Sequence, residues 1–214
     1  MKILISIISS NKHSQSRLEF IEKTWLKKVD DYVIISDIES PEKKTIKVCD
    51  DSSYESNVIK NFNSFDVFDK KFSDFDWYMN LDDDTFLNYE NLKNHLRDYS
   101  TDEIFMLGRI NYGTLPSEPS LNYCSGGAGY VFNRKTLDLL KKIDLSYNKS
   151  RFADANIGMF CRDNNINLIN SDFFHPREPS YHDSSIQDIK NSITYHYIFG
   201  NDFHYINNII NNNE

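Results

Sequence analysis

The chain has 214 residues, with 24 Lys and Arg against 32 Asp and Glu and a formal net charge of −8. That length suits one domain with a sizeable core, and 39% hydrophobic with 14% aromatic residues excludes a disordered chain. The acidic excess argues against a nucleic-acid partner or an anionic membrane surface, and no run approaches the ~20 apolar residues of a membrane span.

Residues 3–8 predict a buried first strand rather than a secretory signal, because no small-residue cleavage site follows the apolar run. Leu18, Ile21, Trp25 and Val29 recur at helical spacing and predict an amphipathic helix over 14–28. Strands follow at 32–36 and 45–48, then a helix over 55–71 with Val58, Phe62, Phe65 and Phe68 on one side. Residues 77–81 alternate as a strand does, with Trp77 and Tyr78 read as core. Asn88 is placed to cap a helix reaching about Tyr99, and Asn133 one reaching about Ile143. Further strands are expected at 104–108, 129–132, 167–174 and 193–199, and helices at 152–163 and from about Asp202. Segments 110–123, with Pro116 and Pro119, and 176–190 read as loops. Strands alternating with helices predict a single α/β domain over 1–214, with a mixed, mostly parallel central sheet flanked by helices.

Cys49, Cys124 and Cys161 are odd in number and have no CxxC or zinc-ligand spacing. They read as free thiols of a reducing compartment. With no signal peptide, stem or membrane anchor in view, the expected location is cytoplasmic.

The strongest local feature is DWYMNLDDDTFL, residues 76–87. A hydrophobic strand runs directly into Asp82, Asp83 and Asp84, whose mutual repulsion at a buried strand end is costly. A divalent cation would remove that cost, and hard oxygen ligands favour Mg²⁺ or Mn²⁺. The same residues would also make a solvated acidic turn. CSGGAGYVFNRK, residues 124–135, places Gly126, Gly127 and Gly129 before a strand, for a ligand's close approach or for a tight bend. Asp154 stands at a helix start, where free amides favour its ionised form, as a general base or as an ordinary cap. His175 and His196 are each a candidate metal ligand or a structural histidine.

Together these segments resemble the Fringe and core-1 β1,3-galactosyltransferase family of inverting β1,3-glycosyltransferases. The resemblance rests on DWYMNLDDDTFL, CSGGAGYVFNRK, RLEFIEKTW at 17–25, FADANIGMF at 152–160, FFHPRE and TYHYI, in the family's order from about residue 3 to 208. It implies a GT-A fold, with a nucleotide-binding part near 1–100 and an acceptor-side part near 101–214. It also implies a UDP-sugar donor, Mn²⁺ (or Mg²⁺) and a glycan or glycoconjugate acceptor. Asp84 matches the metal-ligating Asp, and Asp82 and Asp83 match the two positions before it, the first of which tends toward the ribose and donor sugar. Asp154 matches the general base, although the acidic residue usual before it is Ala153 here. His196 is the first candidate for the second metal ligand and His175 the second. The Fringe branch places that ligand where this chain has Arg177, and the paired cysteines of lumenal members are not reproduced. On this reading Gly126 and Gly127 approach the donor sugar, and Ser9, Ser10 and Asp37, at strand carboxyl ends, contact the nucleoside. The alternative is an inactive relative that binds a nucleotide or glycan. A two-metal phosphotransferase fits less well, since no phosphate clamp of Lys or Arg is apparent.

Overall fold

The computed structural model describes residues 1–14, 16–115 and 118–211. The apolar run Ile3–Ile8 (β1) is wholly buried at the heart of a seven-stranded sheet. The short helix Asn11–Ser14 (α1) and Leu18–Lys23 (α2) follow, then the strands Asp31–Ser36 (β2) and Thr45–Lys47 (β3). The long helix Ser56–Lys71 (α3) leads into Trp77–Asp82 (β4), the short strand Phe86–Leu87 (β5) and the helix Tyr89–Leu96 (α4). Next come Phe105–Gly108 (β6), Ile110–Leu115 (β7), Glu118–Cys124 (β8) and Tyr130–Asn133 (β9). Helices Arg134–Leu140 (α5) and Ala153–Asp163 (α6) precede the strands Asn167–Asn170 (β10) and Phe174–His175 (β11). The described chain ends with Ile186–Asn191 (α7), Thr194–Tyr195 (β12) and Asn201–Asn211 (α8).

The main sheet has the order β10-β6-β9-β4-β1-β2-β3. All its pairings are parallel except those of β9, which runs opposite to both β4 and β6. Alternation sends successive side chains to two cores. Ile3, Ile5, Ile7, Trp77 and Met79 pack with α2, α4 and α8, whereas Leu4, Val33, Tyr78 and Phe132 pack with α3, α5 and α6. Val58, Phe62, Phe65 and Phe68 of α3 fall in the second core, as their spacing predicts. The Asn88 and Asn133 side chains cap α4 and α5 by accepting from the Asn91 and Thr136 amides. No helix among the described residues is long and apolar enough to cross a membrane.

Four expectations need correction, and the first is that the expected loop 176–190 holds a 3-10 turn at Pro179–His182 and the start of α7, which Ser185 caps by accepting from the Asp188 amide. The helix over 14–28 is broken: Gln15 lies outside the described residues, and α2 stops at Thr24, whose backbone turns to ψ −107° while its hydroxyl donates to the Phe20 carbonyl. Residues 110–123 are mostly an antiparallel hairpin, β7–β8, rather than a loop; Pro116 lies outside the described residues. Its polar sequence hides the strands because the ribbon leaves Tyr112 exposed and buries Leu121 and Cys124, which do not alternate along β8. The strand over 193–199 is only Thr194–Tyr195, because Tyr197 turns the chain with φ +59°.

The hairpin docks on α6 at Gly158, where an added Cβ would stand 2.5 Å from Tyr123 Cβ and 2.9 Å from the Asn122 carbonyl oxygen. Gly158→Ala is therefore expected to destabilise the fold by about 1–3 kcal/mol through overpacking. A urea unfolding curve checks this: the midpoint falls, with little change in slope.

Candidate active site

Sheet topology brings the chemistry-bearing segments together. β1 and β4 are parallel neighbours, so Ser9 and Ser10 emerge beside Asp82–Asp84 at the same sheet edge. β9 runs the other way and pairs Tyr130 with Asn80, so the glycine segment before β9 begins where β4 ends. Below the edge, the Asn80 amide donates to Ser64 Oγ and Tyr130 Oη, and the Tyr130 hydroxyl donates to Asn61 Oδ1 at 2.9 Å. This buried polar network is the floor on which both segments rest.

The three aspartates have different surroundings. Asp83 is saturated: Arg17 Nη1 lies 2.7 Å from one oxygen, and the Ser9 hydroxyl donates to the other at 2.7 Å. Asp84 meets Arg17 Nη1 with Oδ2 at 3.1 Å and faces His196 Nε2 with Oδ1 at 3.0 Å. That Oδ1 is buried and lacks a well-formed hydrogen bond among the described residues. Asp82 lies 3.9 Å from His196 Nε2 and remains one-third exposed to the cleft. Burial in the cleft, with Asp84 and Asp83 alongside, pushes the Asp82 carboxyl up to about 7 against the pull of His196. Burial disfavours the charged His196 ring, but the Asp84 and Asp82 carboxylates outweigh it and raise its pKa. One ligand atom from each of Asp82, Asp84 and His196 falls within 4.8 Å of the others. Two carboxylate oxygens and an imidazole nitrogen around an orphaned buried oxygen form a donor set that fits Mn²⁺ or Mg²⁺.

Backbone contacts hold His196 in place. Its amide donates to the His175 carbonyl, and the Ile198 amide donates to the Asp84 carbonyl, stitching the two segments together. The Pro176 carbonyl nearby also favours the protonated ring. Tyr197 stacks on it with centroids 3.8 Å apart. Beneath the ring lies Gly127, where any Cβ would sit 2.1–2.5 Å from ring atoms. The Thr85 and Thr194 hydroxyls donate to the Gly127 and Ala128 carbonyls at 2.6 Å and lock this turn.

Asp154 occupies the first turn of α6, with Oδ2 accepting from the Gly126 amide at 3.0 Å and Oδ1 from the Ala155 amide at 2.8 Å. Burial raises its pKa, while the Gly126 and Ala155 amides pull the other way. Two contiguous cavities share Tyr54, Asn57, Asp82, His196 and Tyr197. One, of about 320 Å³, reaches Ser9, Ser10 and Arg17. The other, of about 430 Å³, holds Asp154, Gly126 and Gly127.

Two candidate residues fall outside this arrangement. His175 stands away from the aspartates, with Nε2 2.9 Å from Ser192 Oγ and its ring stacked on Tyr195 at 4.4 Å. Burial and the neighbouring His182 push its pKa down to about 4. Asp37 lies at the end of β2 but does not line either cavity. Its Oδ1 accepts from the Asn11 amide and lies 3.1 Å from Nζ of the fully buried Lys60, so it secures the turn after β1. Sequence reasoning missed Arg17, Tyr54, Asn57 and Tyr197 as site residues. Arg17 was visible in RLEFIEKTW, but its carboxylate partners lie 66 and 67 positions away.

A Fringe-like family model matches residues 1–213. Among curated proteins, mouse beta-1,3-glucosyltransferase is 24% identical over 83% of the chain. Human chondroitin sulfate synthase 3 is 30% identical over 29% of it. The chain spans 37% of the first of these relatives' length and 8% of the second's. Among solved structures, a glycosyltransferase involved in glycosylation of the major capsid of PBCV-1 aligns at TM-score 0.53 and 12% identity, over 95% of this chain and 98% of that one. The galactosyltransferase LgtC, solved with donor and acceptor sugar analogs, aligns at TM-score 0.52 and 12% identity, over 91% and 86%. These likenesses establish a GT-A glycosyltransferase fold.

Gly127→Ala is expected to drive the His196 ring away from Asp84. Mn²⁺ affinity should fall at least about tenfold, or about 1.4 kcal/mol. Calorimetric titration with Mn²⁺ checks this, and an unchanged affinity would remove the ring from the metal site.

Proposed function

The chain belongs to the Fringe-like family of glycosyltransferases, and on that premise we propose that it is a metal-dependent inverting hexosyltransferase. It moves a hexose or N-acetylhexosamine from a UDP-sugar to an acceptor hydroxyl, forming a β1,3 linkage on a glycan or glycoconjugate. The linkage draws support from the likeness to a beta-1,3-glucosyltransferase. The observation that carries the reading is convergence: Asp82, Asp84 and His196 meet on one side of the Gly126–Gly127 turn, and Asp154 is bonded to its other side.

Asp84 and His196 would hold Mn²⁺ or Mg²⁺, with Asp82 beside them. When bound, the ion supplies positive charge to offset the developing charge of the leaving diphosphate. Ser9 and Ser10 line the nucleoside end of the cleft, and Gly126 and Gly127 line the donor-sugar side, where their lack of side chains makes room for Asp154 and the His196 ring. Asp83, tied to Arg17 and Ser9, braces this wall from behind. Asp154 takes the proton from the acceptor hydroxyl as that oxygen attacks the anomeric carbon, and the bond to the UDP oxygen breaks on the opposite face. Three free thiols, two of them buried, support a cytoplasmic location.

Asp154→Asn should retain Mn²⁺-dependent UDP binding and lose at least about a hundredfold in turnover, while Asp84→Asn should lose the metal dependence of UDP affinity. UDP titrations with Mn²⁺ and with chelator, beside UDP release from a panel of UDP-sugars, separate the two. Equal UDP affinity with and without metal in the parent protein would refute the metal assignment. Metal-dependent UDP binding with no release from any UDP-sugar would instead identify an inactive binding module.

The pH dependence follows from the base. Asp154 must be deprotonated to work, and burial raises its pKa above the ordinary carboxylate value. The acid limb of kcat/KM should therefore fall off above that value as pH drops, and Asp154→Asn should abolish the limb.

A further inference from the structure

The acceptor-side cavity holds two arginines that the proposed chemistry does not use. Arg151 and Arg177 both line it, and with His196 they are its cationic side chains among the described residues. Neither forms an ion pair there with any described carboxylate. The contrast with Arg17 at the donor end is sharp, since that guanidinium is shared between Asp83 and Asp84.

Aromatic rings hold both groups instead. Arg151 lies over Tyr54 at 5.1 Å and Phe152 at 5.6 Å. Arg177 lies over Tyr197 at 4.9 Å and Tyr181 at 5.4 Å. A cation–π shelf restrains a guanidinium without neutralising it, and leaves its N–H edge free for a carboxylate, sulfate or phosphate. Tyr54, Phe152, Tyr181 and Tyr197 are all exposed, so they also offer apolar faces to a sugar ring. The carboxylates in the same cavity are otherwise engaged: Asp154 accepts two amides, and Asp82 faces His196. In a chain of net charge −8, two unneutralised cations in one cavity beside the base select an anion.

We infer that the acceptor is an acidic glycan, whose carboxylate, sulfate or phosphate group is bound by Arg151 and Arg177 while the hydroxyl to be glycosylated faces Asp154. This rests on the transferase reading for the role of Asp154, but the recognition of the anion can be measured without transfer. A cavity of about 430 Å³ has room for one or two sugar rings.

The test is equilibrium binding of four probes, p-nitrophenyl β-D-glucuronide, β-D-glucoside, and the glucoside 6-sulfate and 6-phosphate, with and without UDP and Mn²⁺. At least one anionic probe should bind tenfold or more tightly than the neutral glucoside, and which one identifies the anion. Arg151→Gln and Arg177→Gln should each remove most of that preference, and leave UDP–Mn²⁺ affinity within about twofold. Equal binding of all four probes, or a preference that survives in the double variant, would overturn the proposal. So would variants that weaken UDP–Mn²⁺ binding and leave the glycosides unaffected, since the arginines would then serve the donor. A protein that binds no UDP yet keeps the arginine-dependent preference would refute the transferase reading, and with it the acceptor role, and uphold only the anion site at Arg151 and Arg177.

Discussion

Three consecutive carboxylates at the end of a buried strand cannot coexist without compensating charge, and the architecture of the cleft follows from how that charge is supplied. Arg17 reaches in from the start of α2 and divides its guanidinium between Asp83 and Asp84. Ser9, from the neighbouring strand end, takes the remaining oxygen of Asp83. The residual imbalance falls on Asp82 and Asp84 Oδ1, which face each other's charge with His196 between them. A proton on His196 and a divalent cation would meet the same need there, positive charge beside two carboxylates. The cleft is thus built to be incomplete on one side and fully compensated on the other.

That arrangement depends on one reversal in an otherwise parallel sheet. Were β9 parallel to β4, its preceding turn would emerge at the opposite edge, far from the aspartates. Because it is antiparallel, the Gly126–Gly127 turn lies against the end of β4 and under His196. Threonine hydroxyls from two other segments pin the turn by its carbonyls, and the Gly129 amide closes it onto the Gly126 carbonyl. The Gly126 amide points outward and donates to Asp154. Binding elements separated by 70 residues in sequence therefore share one rigid support.

Much of this could be read from the residues, and the failures have physical causes. Strong alternation at Trp77–Asp82 and helical spacing at Ser56–Lys71 each carried one answer, because burial on a defined face enforces the pattern. The asparagine caps were legible for the same reason, since a cap is a local contact. The hairpin β7–β8 was not legible, because its buried apolar side chains, Leu121 and Cys124, do not alternate and mark no face. Nor was the break after Tyr195: the apolar run continues through Tyr197 and Phe199, and only tertiary bonds to Asp84 and His175 turn it. In the site, the acidic and glycine segments stood out by composition, whereas Asp37 looked available until the buried Lys60 claimed its carboxylate. Single cations such as Arg17, Arg151 and Arg177 carry no local signature. What distinguishes them is whether a carboxylate or an aromatic ring lies opposite, and that is a property of the fold alone.

The acidity of the chain acquires a different meaning in this light. Residues 66–84 contain seven Asp against Lys70 and Lys71, but Asp66, Asp69, Asp74 and Asp76 precede β4 and pair with Lys70, Arg134, Lys141, Lys2 and the N-terminus, so it is Asp82–Asp84 that bring their charge to the cleft. Such a field repels anions unless positive charge is placed locally, and the molecule has two separate means of placing it. At the donor end Arg17 is paired with Asp83 and Asp84, which leaves Lys12 and any bound cation to supply further positive charge. Around the acceptor cavity the arginines rest on aromatic rings and retain theirs. Asp154 lies between these two regimes. Buried enough to have its pKa raised and held by two amides, it keeps a basic oxygen without drawing either arginine into an ion pair. In the proposed transfer, where Asp154 accepts the proton, a guanidinium paired with it would make it a poorer acceptor, and the aromatic shelves keep both arginines out of such a pair.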